Sequence, residues 1–206
     1  GYLDTNQMSG AFQLLRSNDL VWSRLIRDYV LGDRSAMTDL MAWNSDQTRM
    51  PARMHGEYLR GLFLENRLTA GRFAVEGRVI ALSDIKAPIF AVGTLKDHIA
   101  PWRSSYKGAL IPTGNVRFVL SNSGHIAGIV NPPSPKAKHW TNDALPLDPQ
   151  QWLAGATLHD ETWWNNWTPW IAARAGALVP APRAQGSMDF PVLGDAPGTY
   201  VHGRSA

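Results

Sequence analysis

The chain has 206 residues, of which 44% are hydrophobic and 18% charged, and its formal net charge is +3. These values predict a globular protein with a buried core and exclude an intrinsically disordered one. The 20 basic residues are scattered along the chain together with 17 acidic ones, so nucleic-acid binding is not expected.

The sequence lacks cysteine and lacks a long apolar segment. No cysteine occurs, which excludes disulfides, thiolate metal sites and a cysteine nucleophile from this chain. No apolar run reaches the roughly 18 residues of a membrane span, and the first residues lack the features of a signal peptide. We therefore expect a soluble, cytoplasmic protein.

The first part of the chain has the apolar spacing of helices. Residues 17–19 are N-cap types, and the residues after them predict a helix from about 18 to 31 with one buried face. The apolar members of that face are Trp22, Leu25, Ile26 and Tyr29. A second helix is predicted to begin at Pro51 and to end before Gly71. Its apolar side consists of Met54, Tyr58, Leu62 and Phe63.

The middle of the chain has the pattern of strands. Residues 73–75 and 78–80 flank Glu76-Gly77 and predict a short hairpin. The continuous apolar run 89–93 is typical of a strand covered on both faces of a sheet, and Asp97 follows it. A helix is predicted at about 102–111, then a second strand at 116–120, which His125 follows.

Asp97 and His125 are expected to lie close together at one edge of the sheet. Two strands joined by a helix are parallel, so their carboxyl ends lie at the same edge of the sheet, where ligands and chemistry gather. An acid followed by a histidine 28 residues later has the chain order of the last two members of an α/β-hydrolase triad. The carboxylate would fix the tautomer of the histidine, which then accepts a proton from the nucleophile.

Spacing alone leaves an alternative open, because any parallel sheet collects Asp and His at its strand ends. The nucleophile is also missing, since neither G-x-S-x-G nor G-x-C-x-G occurs in the sequence. If the pair is catalytic, this chain holds an incomplete active site.

Seven stretches of the sequence form a distinctive set of motifs: residues 93–102 (GTLKDHIAPW), 118–120 (FVL), 123–133 (SGHIAGIVNPP), 139–146 (HWTNDALP), 150–153 (QQWL), 18–22 (NDLVW) and 43–46 (WNSD). Together these motifs resemble the C-terminal part of the catalytic domain in one protein family, the polyhydroxyalkanoate synthases of class I. The similarity extends over nearly the whole chain.

The resemblance implies the fold and the domain organisation. The expected class is α/β, with the C-terminal portion of an α/β-hydrolase fold preceded by a helical cap. The cap would comprise residues 1–72. The core would comprise residues 73–176 and contain the loop of the acid, the loop of the base and a Trp-rich helix. Residues 177–206 would form a Pro/Gly-rich tail. Residues 196–201 resemble the family's C-terminus, and the family carries a G-x-C-x-G elbow upstream of all the motifs seen here. We therefore expect that an N-terminal part with this elbow is missing.

The resemblance also implies an acyltransferase that polymerises (R)-3-hydroxyacyl-CoA into a polyester and releases CoA. His125 would be the base that deprotonates the missing cysteine, and Asp97 would orient His125 or assist the incoming hydroxyl. No cofactor is expected, since acyl-CoA is the substrate. Expected partners are the N-terminal part, the growing polyester and the granule surface. Residues 10–45 would gate substrate entry or form a homodimer contact.

Other candidate residues carry two interpretations each. Lys136, Lys138 and His139 follow the base loop and could pair with CoA phosphates, or they belong to a solvated basic loop. His98 is adjacent to Asp97 and would point to the other side, so it would either contact the substrate or have a structural role. The tryptophans 163, 164, 167 and 170 have helical spacing and predict an apolar stripe packed on the sheet, or a surface for polyester. No metal is expected, because the histidines lack ligand spacing.

Two other functions remain open from the sequence. The chain could belong to another α/β-hydrolase, such as an esterase or polyester depolymerase with an upstream serine elbow. It could also be a non-catalytic module that binds granules or a synthase subunit. In every case we expect the isolated chain to be inactive, because it has no nucleophile.

Overall fold

The computed structural model divides the chain into two compact units, one containing residues 1–65 and 180–206 and the other residues 66–179. None of the helices within the described residues is long and apolar enough to cross a bilayer. The described residues are 1–4, 7, 8, 10, 11, 14, 17, 21–33, 36, 43, 48–130, 132–182, 184–195, 198 and 199.

In the described part of the first unit, two short strands pair antiparallel, and two helical segments end in π-helical turns. The strands pair Tyr2 with Pro51 and Leu3 with Met50. The elements are β1 (Tyr2–Leu3), β2 (Met50–Pro51), α1 (Ser23–Leu25, continued as a π-helix over Ile26–Val30) and α2 (Ala52–Tyr58, continued as a π-helix over Leu59–Leu64).

Helix α1 agrees with the prediction in position but not in burial. Its described residues lie within the predicted range, while Asn18 and Asp19, the expected caps, are outside the described residues. The predicted buried face is wrong: Trp22 is 56% and Tyr29 77% exposed. Helical periodicity determines which side chains share a face, and it contains no information about the surface that covers them.

Helix α2 ends before Gly71, as predicted. Pro51 is its N-cap, with φ −56°, and the helix with its π-helical turn stops at Leu64. Asn66 follows with φ 47°. Asparagine tolerates this left-handed conformation, which terminates a helix, so the stop signal was Asn66 and not the glycine.

The second unit begins with the predicted hairpin. Strands β3 (Phe73–Val75) and β4 (Arg78–Ile80) pair antiparallel. Glu76 and Gly77 have φ values of 50° and 77°, as the two central residues of a type I′ turn require. The hairpin prediction is confirmed.

A four-stranded mixed sheet forms the centre of the second unit. Its strand order is β5-β6-β7-β8; β5 and β6 are parallel, and the two other pairs are antiparallel. Helices flank the sheet, so the expected α/β class is confirmed. In chain order the elements are β5 (Ile89–Thr94), α3 (Trp102–Ala109), β6 (Val116–Ser121), α4 (Ala127–Val130), β7 (His139–Thr141), α5 (Pro149–Ala154), β8 (Thr157–His159) and α6 (Trp164–Ala172).

An aromatic cluster fills one face of this sheet. The ring of Phe118 on β6 meets the rings of Tyr106 and Trp152 edge-on at centroid distances of 5.0 Å each. Trp102 joins the same cluster, and the hydroxyl of Tyr106 donates to the carbonyl of Pro146 at 2.6 Å. Edge-to-face pairs of this kind contribute about 0.5–1.5 kcal/mol each beyond their buried area. The cluster fixes α3 and α5 against β6.

The opposite face of β5 packs against helix α6. Phe90 contacts Trp163 at 6.3 Å and Trp170 at 5.4 Å between ring centroids. The predicted packing of the tryptophan stripe on the sheet is therefore confirmed for these two residues. Strand β5 is covered on both faces, which explains its continuous apolar sequence.

Candidate active site

The ends of the two parallel strands position the candidate acid and base. Strand β5 ends at Thr94, and the amide of Asp97 donates to the carbonyl of Thr94 at 3.1 Å, which closes a tight turn. Strand β6 ends at Ser121, and His125 lies four residues later, before α4 begins. Residues 95–101 form the acid loop and residues 122–126 the base loop. The amide of Leu95 donates to the carbonyl of Ser121 at the end of β6, and the amide of Lys96 donates to that of Ser123, so backbone hydrogen bonds join the acid loop to β6 and to the base loop.

Asp97 and His125 are in direct contact. The Nδ1 atom of His125 lies 2.8 Å from Oδ2 and 3.0 Å from Oδ1 of Asp97. The side chain of Asp97 is 8% exposed and that of His125 is 39% exposed. With Nδ1 donating to the carboxylate, Nε2 carries the free lone pair on an accessible ring. This arrangement is able to accept a proton from a neighbouring nucleophile.

Hydrogen bonds hold Asp97 in its charged form. Burial raises the pKa of this carboxyl, but the backbone amide of Ala100, the ring of His125 and the amide of Ile99 together outweigh burial and lower the pKa to about 2. The two amides donate to Oδ1 at 2.8 and 2.9 Å. The hydroxyl of Thr94 donates to Oδ2 at 3.2 Å. Asp97 is thus a fixed carboxylate at any physiological pH.

His98 does not join this pair. It is exposed, and among the described residues it makes no hydrogen bond to Asp97 or His125. His98 is therefore a matched control for His125 in experiments on the site.

Lys136 and Lys138 line one cleft beside the pair. The cleft has a volume of about 280 Å³ and is bounded by both loops that carry Asp97 and His125. Lys138 forms an ion pair with Asp160, whereas Lys136 has no ion-pair partner in the described part of the chain. Lys96 lines the same cleft, a residue that sequence reasoning missed although it directly precedes Asp97.

His139 does not belong to the basic loop, so its interpretation as a third cation is wrong. It lies in β7, is fully buried, and its Nδ1 is 3.0 Å from the carbonyl oxygen of Glu161. Burial lowers the pKa of His139, and the hydrogen bond to Glu161 only partly opposes this. The imidazole is a neutral packing residue because a charge at this position would lose its hydration.

His139, His159 and Glu161 form a cluster that sequence spacing did not indicate. Their potential ligand atoms lie within 4.8 Å of one another. The two imidazole rings are stacked, however, with an interplanar angle of 12° and centroids 4.7 Å apart. Lone pairs in two nearly parallel planes do not converge on one ion about 2 Å from each nitrogen. The cluster is a stacked histidine pair.

The fold and the pair together define a class of site. An acid and a base meet at the carboxyl edge of two parallel strands, which is the arrangement of the last two members of a nucleophile-acid-base triad on an α/β scaffold. The sequence contains no cysteine and no G-x-S-x-G motif. This chain therefore supplies the hydrogen-bonded pair without a cysteine or a G-x-S-x-G serine as nucleophile.

Comparison with known proteins supplies the family. The chain is 42% identical over 201 residues to the poly(3-hydroxyalkanoate) polymerase subunit PhaC of Cupriavidus necator, an alignment that covers 97% of this chain and 34% of that protein. It is 42% identical to the same subunit of Rhizobium meliloti, covering 100% of this chain and 33% of that protein. No protein-family model matches the chain.

A third relative extends the comparison. Poly(3-hydroxyalkanoate) polymerase 1 of Ectopseudomonas oleovorans is 40% identical over 206 residues, covering 99% of this chain and 37% of that protein. The chain belongs to the poly(3-hydroxyalkanoate) polymerase family and corresponds to the C-terminal part of its members. It spans about a third of the length of these curated relatives.

Proposed function

We propose that this chain is the C-terminal catalytic part of a polyhydroxyalkanoate synthase and supplies the acid and base of a Cys-His-Asp triad. The contact between His125 and Asp97 at the shared strand edge is the observation that carries the proposal. The named relatives support it. On this view residues 73–176 form the C-terminal portion of an α/β-hydrolase core, residues 1–72 a helical cap and residues 177–206 a tail.

The proposed reaction begins with a cysteine on the remaining part of the polymerase. Nε2 of His125 accepts the thiol proton while the sulfur attacks the thioester carbon of (R)-3-hydroxyacyl-CoA. The bond between that carbon and the CoA sulfur breaks, and CoA leaves as a thiol with the proton from the imidazolium. The hydroxyl of the next unit then attacks the enzyme thioester, gives its proton to His125, and forms an ester that releases the cysteine.

Asp97 would orient His125 rather than contact the substrate. Both of its oxygens accept hydrogen bonds within the protein, and its side chain is 8% exposed. A carboxylate in this position stabilises the imidazolium that forms in each step. The alternative role, activation of the incoming hydroxyl, needs an oxygen that is free to face the substrate.

The partners follow from the reaction. The chain would require the part of the polymerase that carries the cysteine, and it would act on acyl-CoA without a cofactor. The polyester product forms an apolar phase, so we place the complete enzyme at the surface of cytoplasmic polymer granules. A homodimer contact through the cap also remains part of this proposal.

Complementation tests the proposal. This chain is co-expressed with the part of the Cupriavidus necator polymerase that it does not match, and CoA release from 3-hydroxybutyryl-CoA is measured. We expect no release by the chain alone and restored release by the pair. His125→Ala should lower the rate at least about a hundredfold, since general base catalysis typically supplies 10²–10⁴-fold.

The matched control is His98→Ala, which removes a neighbouring histidine outside the hydrogen-bonded pair and should leave the rate within about twofold. Steady CoA release by the chain alone, or equal rates for the His98 and His125 variants, would contradict the proposal. Restored hydrolysis without polymer would favour an esterase or depolymerase. Binding of the two parts without any activity would favour a non-catalytic module.

Lys136 and Lys138 are proposed to bind the phosphates of CoA in the cleft beside the pair. Lys136→Ala should raise the KM for acyl-CoA more than Lys138→Ala, because Asp160 already neutralises Lys138. The increase should shrink at high salt, since exposed charges are screened. Lys107→Ala, an exposed lysine of α3 outside the cleft, is the control. An unchanged KM in the Lys136 variant would exclude the idea.

A further inference from the structure

Thr94 occupies a junction between the acid loop and the base loop. It is the last residue of β5, lies opposite Ser121 of β6 in the parallel register, and is 3% exposed. The spacing Thr94-x-x-Asp97 places its hydroxyl three residues before the acid. A β-branched residue in a strand has a restricted χ1, so its hydroxyl and methyl point in two fixed directions.

The hydroxyl of Thr94 faces the acid. It donates to Oδ2 of Asp97 at 3.2 Å, the same oxygen that accepts Nδ1 of His125 at 2.8 Å. The amides of Ile99 and Ala100 bind the other oxygen. The Thr94 hydroxyl and the two amides hold the carboxylate from different directions, which fixes its rotation relative to the imidazole ring.

The methyl of Thr94 faces helix α4, which begins shortly after His125. A Cβ atom added at Gly128, in helix α4, would lie 2.3 Å from the Thr94 methyl carbon and 3.0 Å from its Cβ. Only a glycine allows this close approach. The carbonyl of Gly128 also accepts a hydrogen bond from the indole Nε1 of Trp163 at 3.0 Å, which holds α4 from its other side.

We propose that Thr94 is a positioning residue that sets the relative placement of Asp97 and His125. Its hydroxyl orients the carboxylate, and its methyl fits against Gly128, three residues after His125, and thereby fixes the first turn of α4. Thr94 touches neither substrate nor nucleophile in this arrangement. Its effect on catalysis rests on the proposed function, whereas its effect on the geometry of the pair does not.

The first test separates the hydroxyl from the methyl in the complemented polymerase. Thr94→Val keeps the shape and loses the hydroxyl, and it should lower kcat for CoA release about tenfold with KM unchanged. Thr94→Ser keeps the hydroxyl and loses the methyl, so it should be impaired less than Thr94→Val. A role in packing alone predicts the reverse order, with valine near the wild type and serine impaired, and would overturn the proposal.

The second test observes the acid directly in this chain by carboxyl-carbon NMR. Loss of a donor destabilises the charged form, so Thr94→Val should raise the pKa of Asp97 above about 2 and Thr94→Ser should keep it low. Should the valine variant fail to fold, Thr94→Ala against Thr94→Ser makes the same comparison. An unchanged Asp97 titration after loss of the hydroxyl would overturn the inference.

The third test uses the contact with Gly128. Gly128→Ala should impair CoA release in the wild-type background and impair it less in Thr94→Ser, because the methyl it meets is absent there. Additive effects would contradict the proposed contact. If Thr94→Val shifts the Asp97 titration while Asp97→Ala leaves CoA release intact, the positioning role stands and the proposed catalytic function is wrong.

Discussion

The carboxylate of Asp97 accepts hydrogen bonds from four groups: the hydroxyl of Thr94, the amides of Ile99 and Ala100, and the ring of His125. Each bond favours the charged form of the acid. Three of the four donors are local, lying within three residues of Asp97 in the chain. The local turn therefore holds the carboxylate in place, and the long-range partner His125 is added when β6 pairs with β5.

This arrangement predicts a pH dependence of stability. The pKa of Asp97 is lowered from 3.8 to about 2 in the folded chain, so the unfolded state binds a proton first as the pH falls. The contribution of ionised Asp97 to the stability of the folded chain should be present above about pH 4 and be lost between about pH 4 and pH 2. We expect a loss on the order of 1 kcal/mol after allowance for solvent screening.

Urea denaturation of the wild type and Asp97→Asn at pH 5 and pH 2.5 measures this effect. The free energy of unfolding should fall less with pH in the variant, because asparagine does not titrate. Other carboxylates contribute equally to both proteins and cancel in the comparison. Parallel pH profiles for the two proteins would show that Asp97 does not have a lowered pKa.

At the scale of elements, strand β5 has one paired edge and one outer edge. The amide of Ile89 donates to Asn115, which precedes β6, and the amide of Leu95 donates to Ser121 of β6. Because the amides alternate in direction along a strand, those of Phe90, Val92 and Thr94 point outward. Within the described residues no strand pairs with this outer edge. A hydrophobic strand such as β5, with both faces covered and one edge unpaired, can pair with another strand along that edge.

Hydrogen exchange tests this feature of β5. In the isolated chain the amides of Phe90 and Val92 should exchange at least about tenfold faster than those of Ala91 and Gly93 in the same strand. The reason is that only the latter point towards β6. Addition of the complementing part of the polymerase should slow the exchange of Phe90 and Val92. Equal protection of all four amides in the isolated chain would show that the outer edge is already covered.

At the scale of the whole molecule, the catalytic proposal depends on completeness. The chain spans about a third of the length of the polymerases it matches, and it contains no cysteine. The acid and base lie together within the unit of residues 66–179. The pair therefore needs nothing beyond this unit to form, whereas a reaction would need a nucleophile from another part of the protein.

The sequence predicted those features that depend on neighbouring residues. Period-two and continuous apolar patterns located the hairpin and both parallel strands to within one residue, and the connection rule predicted their common edge. Prediction from the sequence failed for features that depend on contacts between residues far apart in the chain. His139 looked like a loop cation next to Lys138, but pairing of β7 with β6 and β8 buries it, and the exposed face of α1 looked like a buried one.

The sequence by itself determined the α/β class, the family resemblance, and the order of an acid and a base without a nucleophile, since periodicity and motifs are properties of consecutive residues. Only the tertiary structure decided that Thr94 lies between Asp97 and Gly128, that Lys96 joins Lys136 in one cleft, and that His139 and His159 stack on neighbouring strands. These contacts join residues whose proximity arises from strand pairing and side-chain direction, and no spacing along the chain encodes them.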